Sequence, residues 1–287
     1  MRALIDLSHF LHSYYGYLNK DNDIKDRIDI DTFSSDIIQS ILQICAFLQP
    51  SEIIISTDSD KTYWREDFFS GYKEKRKQAK KKKIKEGKLD PEHQYGFFNR
   101  VVDDITKNPI FCIVIVDKAE SDDIIATLCK HLGGENVIVA RDHDFLQLCI
   151  NSDTRLYNPV DEEFTECENP DSFLIEQLIQ GCSGDSIPSI QPGWLGPTRT
   201  ETLVKEGKQA IKEAINKDEK TVEAYRRNKT LISFTEIPED LQKRIVEEYE
   251  KNKVIVSRDA LLHHVSHIDS PLVVGNSTNR KIKIEGL

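Results

Sequence analysis

Four short, uninterrupted apolar runs, each delivering an acid at or just past its C-terminal end, constrain this chain most. Ala3-Leu4-Ile5 leads into Asp6, and Ile53-Ile54-Ile55 is followed by Asp58. Ile110 to Val116 runs into Asp117 and then Glu120, Asp122 and Asp123, while Val137-Ile138-Val139 is followed by Asp142 and Asp144. Runs that are apolar at every position, rather than at alternate ones, belong to strands buried on both faces. Helical spacings lie between them: Phe33, Ile37, Ile41, Ile44 and Leu48 within 32–48, a second helix near 95–106, and a third over 121–132 that ends at Gly133-Gly134. The alternation predicts an α/β fold with a mainly parallel central sheet flanked by helices, with roughly four or five strands in the first 165 residues.

In open α/β sheets, ligands bind in the crevice at the strand C-termini. Acids far apart in sequence therefore converge on one place. An acid near a helix N-terminus also caps the helix and complements its dipole, and that explanation is preferred for Asp117. For the whole set it is the weaker explanation, because clustered carboxylates repel by about 332/(εr) kcal/mol per pair and call for cations. Oxygen donors without a His/Cys cluster point to Mg²⁺ or Mn²⁺ rather than zinc. Two such ions a few ångströms apart suit in-line phosphodiester hydrolysis. The eight histidines show no pairing with a serine or cysteine that would supply a protein nucleophile.

Charge narrows the substrate. The net charge of −10 alone argues against a nucleic acid, but Lys73 to Lys88 holds ten basic and two acidic residues. A local polyanion-binding device on an acidic body accounts for both facts. Its cations include Lys77, Lys80, Lys81, Lys82 and Lys83. Tyr63, Trp64, Phe68, Phe69 and Tyr72, interleaved with Arg65, lie just upstream. Aromatic surfaces beside cations suit single-stranded nucleic acid. A solvated lysine-rich face is the alternative. After Pro170 the pattern turns helical, over 172–180, 199–216, 219–228 and 240–252. The segment Gly181 to Pro197, with Gly184, Gly193 and Gly196, would bring backbone N–H groups to a phosphate or serve as a plain inter-helix turn. A small-phosphoester hydrolase would use the acidic crevice but leave the basic segment and the glycine turn idle.

The longest apolar run is seven residues against the ~20 of a membrane span, and no signal peptide is evident at Met1-Arg2. The six cysteines form no CxxC pair, as expected of free thiols in a reducing cytoplasm.

Three blocks, in order, carry a resemblance over nearly the whole chain. They are Trp64-Arg65 through Gly71-Tyr72-Lys73-Glu74-Lys75-Arg76, then Ala119-Glu120-Ser121-Asp122-Asp123-Ile124-Ile125-Ala126, then Arg141-Asp142-His143-Asp144-Phe145-Leu146-Gln147-Leu148. With the glycine turn they resemble the structure-specific 5′ nuclease (flap endonuclease) superfamily, in particular its T-even-like phage ribonuclease H/5′→3′ exonuclease branch. The resemblance implies an α/β nuclease domain over 1–170, with a helical arch at about 61–90. It also implies a helical C-terminal domain over 171–287, with a duplex-gripping helix–loop–helix at about 172–212. By the same token Asp6, Asp58, Asp122 and Asp142 would ligate the first of two Mg²⁺ ions (Mn²⁺ a substitute), and Glu120 and Asp123 would support it. Asp144 and Asp185 would lie on the second-metal side. Tyr72, Lys73 and Arg76 would stand at the arch base, where the lysine and arginine steady the scissile phosphate. Implied substrates are RNA/DNA hybrid and branched or flapped DNA, cut during lagging-strand processing. A sliding clamp and a single-strand-binding protein are the implied partners of a monomer, in the host cytoplasm if phage-encoded, and no membrane is involved. One departure stands out: the family's Gly-Asp-x-x-Asp-Asn turn reads Gly181-Cys182-Ser183-Gly184-Asp185-Ser186 here. A neutral thiol is a poor Mg²⁺ ligand. Activity is expected to survive with a higher Mg²⁺ requirement or a preference for Mn²⁺. The alternative is a branched-DNA-binding module whose cleavage is weak or lost because Cys182 replaces a metal-site aspartate.

Overall fold

Each apolar run becomes a strand, and the chain crosses the sheet by helices. A computed structural model of the protein describes residues 1–20, 28–59, 61–150, 153–193 and 195–265. The end of the expected helical domain, 266–287, lies outside them. β1 (Arg2–Asp6) passes directly into α1 (Leu7–Leu18), and α2 (Ile30–Leu48) leads to β2 (Glu52–Ser56). Then come α3 (Trp64–Phe68), α4 (Glu74–Lys85), α5 (Pro91–Lys107), β3 (Cys112–Val114), α6 (Ser121–Leu132) and β4 (Asn136–Val139). A 3₁₀ turn (His143–Leu148) precedes β5 (Thr154–Asn158) and β6 (Glu163–Thr165). The remainder is helical: α7 (Pro170–Gln180), α8 (Pro197–Glu206), α9 (Lys208–Ile215), α10 (Glu219–Ile232), α11 (Glu239–Asn252) and α12 (Arg258–Val265).

The strands form a six-stranded sheet in the order β3-β2-β1-β4-β5-β6. All neighbours are parallel except β5 and β6. β1 lies between β2 and β4, with Ile5 opposite both Ile55 and Val139. Alternate residues of the strands divide two cores. Ile5, Ile53, Ile55, Val137 and Val139 pack with α1, α2 and α5. Leu4, Ile54, Val114, Ile138 and Leu156 pack with α6 and α11 through Ile124, Leu128, Leu241 and Ile245. Burial on both sides is what the unbroken apolar runs required.

Chain beyond residue 170 contributes to both cores. α11 closes one face, and Val256 and Leu261 join the other. α7 and α10 instead make a small cluster of their own with Tyr72, through Leu178, Leu231 and Ile232. The sheet has six strands within the first 165 residues where four or five were expected, because β5 and the short β6 extend it. Three further elements differ from the sequence expectation. β3 is shorter than the apolar run 110–116 because it is an edge strand, paired with β2 alone. The expected helix 199–216 is two helices, broken at Gly207 with φ +92°. α1 was hidden because Asp6, the last residue of β1, is itself its N-cap.

Candidate active site

The strand order delivers the acids to one crevice. Asp6 ends β1, and its carboxylate accepts the His9 N–H at 3.3 Å. Asp58, two residues past β2, accepts the Ser121 N–H at 2.9 Å, which ties the end of β2 to the start of α6. Asp142, past β4, caps the 3₁₀ turn by accepting the Asp144 N–H at 2.9 Å. Burial first, then the charge of Asp58 and, more weakly, that of Asp142, pushes Asp6 up to about 7. Asp144 is raised to about 6 by burial and then by Asp142, with Asp185 a smaller contributor. Burial and Glu120 hold Asp122 well above the ordinary carboxylate range. Asp185 is raised by burial, against Lys73 and Arg76, which pull it down. Acids from separate chain segments thus sense one another across the crevice.

Behind this open set lies a neutralised one. Among the described residues, Glu120, Asp122 and Asp123 present carboxylate oxygens within 4.8 Å of one another. Glu120 and Asp123 are held by protein donors. The Arg65 Nη1 donates to Glu120 at 3.0 Å and to Asp123 at 2.9 Å, and its Nε donates to the Leu231 carbonyl at 2.8 Å. Trp64 Nε1 donates to Asp123 at 3.0 Å, Tyr72 Oη donates to Glu120 at 2.8 Å, and Lys73 Nζ pairs with Glu120. Three sequence expectations are corrected here. Arg65 is 1% exposed, so it faces Glu120 and Asp123 rather than nucleic acid. Tyr72, at 2% exposed, holds Glu120 and presents no surface to a substrate. Trp64 is likewise buried, so it offers no stacking surface.

The donor set fits a hard divalent cation. Asp6, Asp58, Asp122, Asp142, Asp144 and Asp185 offer only carboxylate oxygens, and their mutual repulsion is what a cation would relieve. Cys182 does not join them. Burial and then Asp185 push its thiol up to about 11, leaving it neutral. Its contribution is its backbone, whose carbonyl accepts the N–H of Asp185 at 3.2 Å and of Ile187 at 2.9 Å.

The basic segment stands over this crevice. α4 buries no side chain, and Lys81, Lys82 and Lys83 are exposed while Lys77 and Lys80 are half-buried. Its first turn is fastened to the glycine turn at four points. Lys73 N–H donates to the Asp185 carbonyl at 2.8 Å, Lys75 N–H to Ser186 Oγ at 3.0 Å, and Arg76 Nε to the Gly184 carbonyl at 3.1 Å. The Arg76 guanidinium also pairs with Asp185 at 3.0 Å. Gly193 and Gly196 are exposed just ahead of α8, and Gly193 has φ +81°. Between α1, α4 and α5 lie two cavities, of about 430 and 600 Å³, that share His12, Lys80 and Gln94 as lining residues.

The comparisons bear on this arrangement. The family model for the 5′-3′ exonuclease N-terminal, resolvase-like domain matches residues 2–176. The chain belongs to the 5′-3′ exonuclease family. It is 26% identical over 252 residues to the ribonuclease H of Enterobacteria phage T4, covering 80% of this chain and 81% of that one. It is 25% identical over 188 residues to the flap endonuclease Xni of Shewanella woodyi, covering 62% and 68%. In fold it is similar to a single-residue variant of the bacteriophage T5 D15 flap endonuclease, solved with DNA and metal ions in a pseudo-enzyme–product complex. There the TM-score is 0.67 at 15% identity, over 87% of this chain and 100% of that one.

For this 5′-3′ exonuclease family member, sequence reasoning missed the wall opposite α4. His12 of α1 and Gln94, Tyr95 and Phe98 of α5 line the smaller cavity beside Asp58. The positions 94, 95 and 98 follow helical spacing, but nothing local reveals that their face looks toward the basic helix rather than toward open solvent.

Proposed function

We propose that the chain is a metal-dependent 5′→3′ exonuclease and flap endonuclease with ribonuclease H activity, hydrolysing RNA primers and adjacent DNA. Membership of the 5′-3′ exonuclease family makes it a nuclease. The single observation that carries the metal-dependent reading is the convergence of Asp6, Asp58, Asp122, Asp142, Asp144 and Asp185. Four of these, Asp6, Asp122, Asp144 and Asp185, are raised from the ordinary carboxylate value, burial being the largest cause. Two divalent cations at these carboxylates, Mg²⁺ with Mn²⁺ as substitute, would supply an activated water for in-line attack and stabilise charge on the leaving 3′ oxygen. The protein groups do the rest. Arg65, Tyr72 and Lys73 hold Glu120, so the start of α6 presents Asp122 in a fixed place. Lys73 and Arg76, at the base of α4, would offset charge on the scissile phosphate. The exposed lysines of α4 and the turn before α8 are the proposed contacts to single strand and duplex, read through the backbone rather than the bases. The proposed setting is lagging-strand processing beside a sliding clamp and a single-strand-binding protein. Among the described residues, no helix is long and apolar enough to cross a membrane.

The neutral Cys182 thiol favours one competing reading, a module that holds branched DNA and cleaves it poorly. An RNA-primed nicked duplex, 5′-labelled and incubated across a Mg²⁺ and Mn²⁺ titration, separates the two. Short 5′-phosphorylated products support the nuclease. A shifted but uncut band at every concentration supports the binding module.

A further inference from the structure

The two acids on the second-metal side come from separate segments, and one residue ties those segments together. Asp144 lies in the 3₁₀ turn after β4, and Asp185 in the glycine turn after α7. Gln177, in the last turn of α7, reaches both. Its Nε2 donates to Asp144 Oδ1 at 2.5 Å. Its backbone carbonyl accepts the Gly181 N–H at 2.8 Å, the bond from which the glycine turn departs. That departure is fixed, because Gly181 has φ +72° and a Cβ there would meet the Ile187 carbonyl at 2.4 Å. The helix is fixed too, since Leu178 and Ile179 are buried in two different apolar clusters. The acid sets the orientation of the amide. An ionised carboxylate only accepts, so turning the amide over would set oxygen against oxygen. In the orientation observed, Gln177 Oε1 is buried and has no hydrogen-bond partner among the described residues. A buried acceptor left without a partner is disfavoured, so holding Asp144 outweighs that loss.

We propose that Gln177 is the positioning residue of the second cation site, aiming the Asp144 carboxylate beside Asp185. The inference rests on the metal-dependent reading above. Asp185 has a holder of its own in the Arg76 guanidinium, 3.0 Å away. On the first-metal side, Asp142 is held by a main-chain donor, the Asp144 N–H at 2.9 Å. Loss of the Gln177 amide should therefore loosen the Asp144 carboxylate without releasing Asp142. Position 182 brings a thiol where the resembled turn has an aspartate, and a thiol is a poor ligand for a hard cation. Affinity on this side then depends on how well the two remaining acids are placed. A donor behind a carboxylate ligand orients it and raises its affinity for the metal. A carboxylate fixed before the cation arrives also gives up less freedom on binding.

The test counts cations before it follows cleavage. The full-length protein, without DNA, is titrated with Mn²⁺, and free Mn²⁺ is read by electron paramagnetic resonance. The wild type should bind two ions. Gln177→Met keeps the length of the side chain and removes the donor. It should weaken one ion about tenfold, the low end for losing a partner behind a metal ligand, and leave the other unchanged. Its melting temperature in EDTA should stay close to that of the wild type, which separates positioning from a purely structural tie between α7 and the 3₁₀ turn. Gln177→Asn, one methylene short of Asp144, is the second variant and should behave alike. On flap DNA either variant should show a lower kcat at low Mn²⁺ with KM unchanged, and saturating Mn²⁺ should restore kcat. Equal weakening of both ions, unchanged affinity for both, or slow cutting that saturating Mn²⁺ does not restore overturns the inference and leaves the metal-dependent reading standing. A wild type that binds a single ion does the same. A wild type that binds none overturns the metal-dependent reading itself, and the inference with it.

Discussion

Arg65 illustrates what a residue in sequence conceals. It reads as a surface cation among aromatics, yet it is sealed between Glu120, Asp123 and the Leu231 carbonyl. Partners lying 55, 58 and 166 positions away cannot be found from local pattern. Removing one partner of a buried ion pair strands the other charge and typically costs about 3–5 kcal/mol. Arg65→Met should therefore lower the urea midpoint substantially, and an unchanged midpoint would mean that the nest is not a source of stability. The crevice acids were legible because each follows an apolar strand, but their protonation was not. In the ion-free protein Asp6 is raised from 3.8 to about 7. The folded state then binds more protons than the unfolded state between those values, so this contribution is present at low pH and lost as pH rises through about 7. Thermal melts in EDTA should fall less between pH 5 and 8 for Asp6→Asn than for the wild type. At Cys182, substitution by aspartate adds an oxygen donor near Asp144 and Asp185. The Mg²⁺ concentration for half-maximal cleavage should drop several-fold, and an unchanged requirement would show that the position acts through its backbone alone.

At the scale of elements, α4 has no buried side chain to hold it, so its order rests on polar ties, most of them in its first turn. Ser186, at φ +63°, accepts the Lys75 N–H from a turn far along the chain. Losing a hydroxyl that caps a first-turn N–H costs about 1 kcal/mol, close to a fivefold change in opening. Ser186→Ala should thus raise hydrogen exchange in α4 about fivefold, and bound flap DNA should suppress that exchange in both proteins. Equal exchange would mean that the turn does not hold the helix. The lysine density of α4 was visible in sequence, but its fastening was not, because the acceptors are carbonyls and a hydroxyl without a composition signature. The cavity wall on α5 was overlooked for a related reason. Gln94 and Tyr95 look like ordinary positions of an amphipathic helix until α1 and α4 are placed around them.

Over the whole molecule, the unbroken apolar runs predicted the parallel sheet, and the two-sided core explains why they could. What they did not reveal is that α11 and α12 return from beyond residue 234 to cover both faces. A fragment of residues 1–170 would lack α11 and expose the apolar side of β3 and α6 on which it packs. It should bind hydrophobic dye and melt without cooperativity, whereas a sharp transition would make that span a self-sufficient domain. The contrast between a net charge of −10 and the lysine-rich α4 also belongs to this scale. Replacing Lys81 and Lys82 with glutamine should flatten the log–log salt dependence of flap binding by roughly 1.4–1.8, for about two lost phosphate contacts. The central claim, that acids from separate strands form one divalent-metal hydrolytic centre, is tested most directly by one comparison. Cleavage of 5′-labelled flap DNA, started by adding Mg²⁺ to the preformed complex, is followed for the wild type and for Asp122→Asn at matched substrate occupancy. The account predicts short labelled products from the wild type and none from the variant, which still binds the flap. Equal cleavage by both, or none by either at any Mg²⁺ or Mn²⁺ concentration, would contradict it.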